Sequence, residues 1–210
     1  MTPIERAETY RLLAAGFRYP DLEDLRATYS AAGVVGGRFA GFGSLSPLVD
    51  DDLPGEFNRL FATSVAVSPY ETSWLKVDKG TRLGQLAALY DAFGVRPVGK
   101  EHELPDHIGI ELEFAALLCL KEGLAGTPDE AEVTARGRQI FSEEHLGRWA
   151  STFADHLAER TAHPFYAALA VLLHTAIEDD LSTHGWSTSD EAAPQPPTED
   201  AAVVCPMARA

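Results

Sequence analysis

Apolar positions recur along this chain at intervals of three and four residues, the spacing of one face of an α-helix. Ile4, Ala7, Tyr10, Ala14 and Phe17 share such a face, and Thr2-Pro3-Ile4-Glu5 reads as a capping box with proline in the first turn. Tyr19-Pro20 ends that helix, and Asp21 caps a second from Leu22 to about Ala31. Leu53, Phe57, Leu60 and Phe61 predict a helix over 52–63. Leu83, Leu86, Ala87, Tyr90 and Phe93 predict another, capped by Thr81 and closed by Gly94. The richest stripe lies in Glu101–Glu122, where Ile108, Leu112, Ala115, Ala116 and Cys119 recur at helical spacing. Ile110, Phe114, Leu117 and Leu118 widen it until little of the circumference is polar, as in a buried helix. Pro105 fits the first turn of that helix, and Asp106 puts a negative charge at its positive end. A second capping box, Thr127-Pro128-Asp129-Glu130, opens a weaker helix to about Phe141. Ser142 caps the next, with Leu146, Trp149, Ala150, Phe153 and Leu157 inward. After His163-Pro164 the last stripe holds Phe165, Leu169, Leu172, Ala176 and Leu181. The Gly-rich run at 33–43 reads as a mobile loop and 64–80 as irregular. No strand-length alternation interrupts the helical period, so the expected class is all-α, a single-domain bundle of roughly eight to ten helices.

Composition refines this picture. The chain of 210 residues, 45% hydrophobic, can bury one core. Residues 1–186 form the expected helical domain; 187–210, rich in Ser, Ala, Pro and acids, read as a disordered tail. No stretch reaches the roughly eighteen unbroken apolar residues of a membrane span, and MTPIERAETYR has no signal-peptide pattern, so the expected location is the cytoplasm, without stable membrane insertion. A formal net charge of −15 disfavours nucleic acid and suits a basic partner, although solubility accounts for acidity equally well. The two cysteines, Cys119 and Cys205, make no disulfide framework. Cys119 reads as a small core residue; Cys205 in the tail is incidental, a partner hook or a redox thiol.

The chain lacks the motifs of common active sites. No histidine follows a glutamate by three residues, as a di-iron bundle requires, and there is no HExxH, CxxC or GxSxG. The Gly-rich run has neither a GxGxxG nor a Walker spacing, so it indicates no nucleotide, and no cofactor is expected. Two features remain. Glu101, His102, Glu103, Asp106 and His107 form a charged mouth to an otherwise oily helix; Asp106 and His107 there are either helix-capping groups or a binding site. Tyr70 and Trp74 in SPYETSW are either core aromatics or the walls of a half-wet groove.

These residues also resemble a known family. Glu103-Leu104-Pro105-Asp106-His107-Ile108-Gly109-Ile110-Glu111-Leu112-Glu113-Phe114 resembles the E-x-P-D-H signature of the TorD/DmsD/NarJ-type chaperones, with Ala115 where methionine is usual. Glu56-Phe57-Asn58-Arg59-Leu60-Phe61, Ser68-Pro69-Tyr70-Glu71, and Phe141 followed by Glu144-His145-Leu146 and Trp149 resemble further segments of it; Thr72 replaces a serine. The resemblance runs from residue 5 to about 181 and leaves out the tail. It implies an all-helical cytoplasmic chaperone without catalytic turnover. Such a protein binds the twin-arginine leader and apo form of a molybdenum oxidoreductase catalytic subunit, assists cofactor insertion and delays export. On that reading Glu103, Asp106 and Glu111 meet the leader arginines, and Tyr70, Trp74, Ile108 and Phe114 receive its apolar part. Pro105 stands in the same mouth, and Asp106 with His107 form the hot spot. A swapped homodimer is compatible with the long loops at 33–43 and 64–80. A different class stays open: a helical metal-dependent hydrolase or oxidase using His102, His107, His145 and Glu111.

Overall fold

The capping box at Thr2 forms as read: its hydroxyl accepts from the Glu5 N–H, and the Glu5 carboxylate accepts from the Thr2 N–H at 2.8 Å. Helix α1 follows over Pro3–Gly16 and buries Ala7, Tyr10, Leu12, Leu13 and Ala14, whereas Ile4, expected inward, is largely exposed. Asp21 caps α2 (Leu22–Val35), which runs past the Ala31 boundary read from the sequence. The structure is a computed structural model and describes residues 1–95, 104–188 and 194–197. The class is all-α: among the described residues, extended backbone pairs only in an isolated antiparallel bridge between Tyr70 and His107.

The Gly-rich run is not the mobile loop expected. It finishes α2 and continues through a tight turn at Gly37–Phe39 into the short α3 (Ala40–Gly43). Phe39, Phe42 and Leu45 are buried there. Its glycines serve close approach, because a Cβ on Gly43 would lie 2.4 Å from the Gly33 Cα. The pattern of small residues that suggests freedom in a sequence here permits two backbones to touch.

Helix α4 (Leu53–Phe57) widens into a π turn at Asn58–Ala62. Helix α5 (Lys79–Ala92) starts three residues before the expected site. Asp78, not Thr81, is its cap, and accepts from the Thr81 N–H at 2.8 Å. Helix α6 (Ile108–Gly123) starts later than expected: Pro105 and Asp106 precede it and His107 is the cap. Thr127 caps α7 (Pro128–Phe141), but Glu130 reaches back to the Gly126 N–H rather than to Thr127, so the box is only half formed. Ser142 does not cap a new helix. Helix α7 passes through a π turn at Ser142–Leu146 directly into α8 (Gly147–Arg160). His163 caps α9 (Pro164–His184), and Gly185, with φ of 63°, ends it in the left-handed region that glycine tolerates.

Helix α6 packs along α1, and α8 along α9. Aromatic rings fill the space between. Phe17 meets Phe153 at 5.6 Å, Phe61 meets Tyr166 at 5.5 Å, and Trp74 meets Phe153 at 5.8 Å. A buried ionic knot ties the far end. Asp180 of α9 accepts from Tyr10 of α1 at 2.8 Å and pairs with Arg6 at 2.7 Å and Arg138 of α7 at 3.1 Å. Cys119 is buried beside this knot, and burial pushes its thiol up to about 12, in keeping with a core residue. None of the helices among the described residues is long and apolar enough to cross a membrane.

Candidate functional site

The segment before α6 and the SPYETSW turn are held together as two strips of extended backbone. The Glu71 N–H donates to the Asp106 carbonyl at 2.9 Å, and the Ile108 N–H to the Pro69 carbonyl at 2.8 Å. Side chains add to the tie. Asp106 Oδ2 accepts from the Thr72 hydroxyl at 2.6 Å and its N–H at 3.2 Å. The Tyr90 hydroxyl, from α5, donates to the Pro105 carbonyl at 2.8 Å. His107 Nδ1 accepts from the Gly109 N–H at 3.1 Å, which places the ring proton on Nε2, and the ring meets Tyr70 edge-on at 5.4 Å.

Behind this seam lies a buried polar cluster. Arg82 of α5 donates through Nε to Glu71 Oε1 at 2.9 Å and through Nη2 to the Glu144 carbonyl in the π turn. His145 Nδ1 stands 3.4 Å from Glu71 Oε2. The Trp149 indole N–H donates to Glu111 Oε2 at 3.2 Å. Glu71, Asp106 and Glu111 are all fully buried, and Arg82 is the guanidinium paired with them through Glu71. Burial, and then the neighbouring Glu71 charge, hold the Glu111 carboxyl well above the usual carboxylate range. The same causes, burial first and then the Glu111 charge, raise the Tyr90 phenol. Asp106 Oδ1 and Glu111 Oε1 are buried without a hydrogen-bond partner among the described residues. On the solvent side of Arg82 a cleft of about 570 Å³ opens, lined by Lys76, Val77, Asp78, Thr81, Gln85, Glu144 and Arg148.

The expected leader-facing residues thus divide. Tyr70 and Pro105 are half-buried and reach the surface. Trp74, Asp106, His107, Ile108, Glu111 and Phe114 are buried, which corrects the picture of an open acid-rimmed groove made from them. The physical reason is local. Trp74 fills the core with its indole N–H on the Ser68 carbonyl at 2.8 Å, Phe114 packs 4.5 Å from Tyr90, Asp106 accepts from Thr72 and Glu111 accepts from Trp149. Glu103 lies outside the described residues, as does His102 of the metal-enzyme alternative. Among the described residues no group of three His, Cys, Asp or Glu is placed to hold a metal. His107 Nδ1, His145 Nδ1 and Glu111 Oε2 face Gly109, Glu71 and Trp149 instead.

Arg82 is the residue the sequence reading missed. It stands one turn before Leu86 and two before Tyr90, so a charged group in register with a buried stripe was the available signal.

The motif at Glu56 also finds its purpose. Glu56 and Arg59 pair through two bonds of 2.7 and 2.8 Å, and Arg59 Nη2 donates to the Arg160 carbonyl at the end of α8 at 2.7 Å. The Thr161 hydroxyl donates to Glu56 Oε1. A cation is thereby fixed at a helix C-terminus, where the dipole favours it.

Segments 56–61, 68–74, 105–114 and 141–149 all lie within residues 8–155, which a single family model, described as nitrate reductase delta subunit, matches. The chain belongs to this family. The TorD/DmsD/NarJ-type resemblance read from the motifs is therefore shown over α1 to most of α8. Within the family, the chain is 29% identical to the chlorate reductase assembly chaperone protein of Ideonella dechloratans, over 82% of this chain and 88% of that one. It is 32% identical to the selenate reductase assembly chaperone protein of Thauera selenatis over 54% of this chain and 55% of that one. It is 26% identical to chaperone protein TorD of Vibrio cholerae over 61% and 60%, so the match spans about three fifths of that relative's length. Among solved structures, a protein assigned to redox enzyme maturation in Archaeoglobus fulgidus superposes with a TM-score of 0.57 at 26% identity, covering 82% of this chain and 93% of that one.

Proposed function

We propose that this protein is a cytoplasmic chaperone, without catalytic turnover, for the catalytic subunit of a molybdenum oxidoreductase. It binds the twin-arginine leader and the apo form, assists cofactor insertion and delays export until maturation is complete. The observation that carries the reading is the coincidence of family membership over residues 8–155 with the convergence of segments 68–74, 105–114 and 141–149 on one buried acidic seam. Relatives named as assembly chaperones for chlorate and selenate reductases support a client of that kind.

The leader contacts the surface above the seam. Tyr70 and Pro105 are half-exposed there, with Leu104 and Ile110 beside them in sequence and Glu113 exposed one turn further along α6. Asp106 and His107 act from beneath as positioning residues, because they fix the Tyr70 turn to the start of α6. An affinity near micromolar, about −8 kcal/mol, suits release before export. Titrating a synthetic twin-arginine leader into the protein in a calorimeter tests this. Tyr70→Ala is expected to weaken binding about tenfold, about 1.4 kcal/mol, with circular dichroism unchanged. Absence of binding to any twin-arginine leader, together with no molybdoenzyme subunit co-purifying from the native host, would overturn the proposal.

A further inference from the structure

Among the described residues, the chain beyond α9 touches the body at two places that flank the cleft beside Arg82. On one side, the Trp186 ring stacks on His184 at 4.4 Å beneath the Arg138 guanidinium, 4.5 Å from its centroid. The Ser187 N–H then donates to Glu143 at 3.4 Å, next in sequence to the cleft residue Glu144. On the other side, the Gln195 N–H donates to the Trp74 carbonyl at 3.0 Å, two residues before the cleft residues Lys76 and Val77. Residues 194–197 are Pro-Gln-Pro-Pro, so Gln195 carries the only N–H of the four, and it is the one that is bonded. Pro194 and Pro197 are half-buried while Gln195 and Pro196 are exposed. An inward contact every third residue is the period of a polyproline II strand. Such a strand is stiff before it docks, so seating it costs little conformational entropy.

We propose that the outer edge of the 74–77 turn is a docking edge for an extended, proline-flanked strand, and that residues 194–197 of this chain occupy it in cis and compete with any other strand for the edge. The Trp74 carbonyl is the acceptor that reads the strand's free N–H. Tethering gives the tail an effective concentration on the order of millimolar, so a modest intrinsic affinity suffices to keep the edge filled. The edge adjoins the cleft and, through Arg82, the signature cluster. The tail is therefore placed where its departure would change what that region can receive.

The test uses the full chain and no client peptide, so its outcome is independent of leader binding. A nitroxide is attached at Ala193→Cys in a Cys205→Ser background; Cys119 is buried and does not label. Paramagnetic broadening is read at the backbone amides of Leu75, Lys76, Val77 and Thr81. Strong broadening is expected, and Gln195→Pro, which deletes the bonded N–H but keeps the extended backbone, should remove most of it. A synthetic peptide spanning residues 190–200 should then bind the unlabelled Gln195→Pro chain several-fold more tightly than the unlabelled natural chain. Absent broadening, or broadening indifferent to Gln195→Pro, overturns the docking edge. Equal peptide affinity for the two chains overturns the competition.

Discussion

Arg82 and Glu71 decide more at the residue scale than any group at the surface. Both are buried, and each is the other's charge partner, with His145 and the Glu144 carbonyl completing the shell. Arg82→Ala removes the guanidinium partner of the buried Glu71, and is expected to cost about 3–5 kcal/mol in urea unfolding. The paired change Glu71→Gln with Arg82→Met should recover part of that loss, because a neutral, space-filling pair avoids the unmatched charge. Glu111 behaves differently. Burial raises its carboxyl above 4.5, so the folded chain keeps a proton that the unfolded chain releases. Stability is fully present below 4.5 and falls as pH climbs from there toward the elevated native value. Glu111→Gln lacks that fall and retains an acceptor for Trp149, so its stability relative to the natural chain should grow as pH rises above 4.5 in urea titrations. A difference that does not change with pH would place an ordinary carboxylate at this position.

At the scale of elements, contacts that look like loops hold the helices in register. Gly43→Ala drives a methyl group into the Gly33 backbone, with no flexible side chain to yield. The expected cost is about 1–3 kcal/mol, read as a lowered melting temperature, with α2 and α3 pushed apart. The Glu56–Arg59 pair works on α8 from outside. Its bond to Arg59 holds the Glu56 carboxyl down at about 2, so the pair contributes stability that is present above 4.5 and is lost as pH falls toward 2. Arg59 is partly exposed, so Arg59→Ala should cost only about 1 kcal/mol, seen most clearly as faster amide exchange in the last turn of α8.

The molecule as a whole carries a formal net charge of −15, and that excess governs how it meets a charged partner. On the proposed function, a leader that begins with arginines would be drawn to such a surface through long-range attraction, which salt screens within about 10 Å at 0.1 M. Raising salt from about 0.05 to about 0.5 M should weaken leader affinity several-fold, mainly by slowing association in stopped-flow traces. Salt-independent binding would assign the affinity to apolar contact alone and move the arginine subsite off the acidic surface.

Helical periodicity, the Thr2 and Asp21 caps and the four signature segments were legible in the residues, because they depend on neighbours three or four positions away. Those local rules determined an all-α chain, and the resemblance of the four segments pointed to its family. They could not decide which side of each motif faces water. Asp106 as a surface carboxylate and Asp106 as the acceptor of Thr72 have the same local sequence, and only the approach of the 68–74 turn separates them. Nor could they bring Arg82 to Glu71 and Glu144, or set Gly33 against Gly43, since each of those pairings is made by segments meeting in space. Burial is a property of the packed whole, and it turned acids expected at the surface into a buried frame between the 68–74 turn and α6.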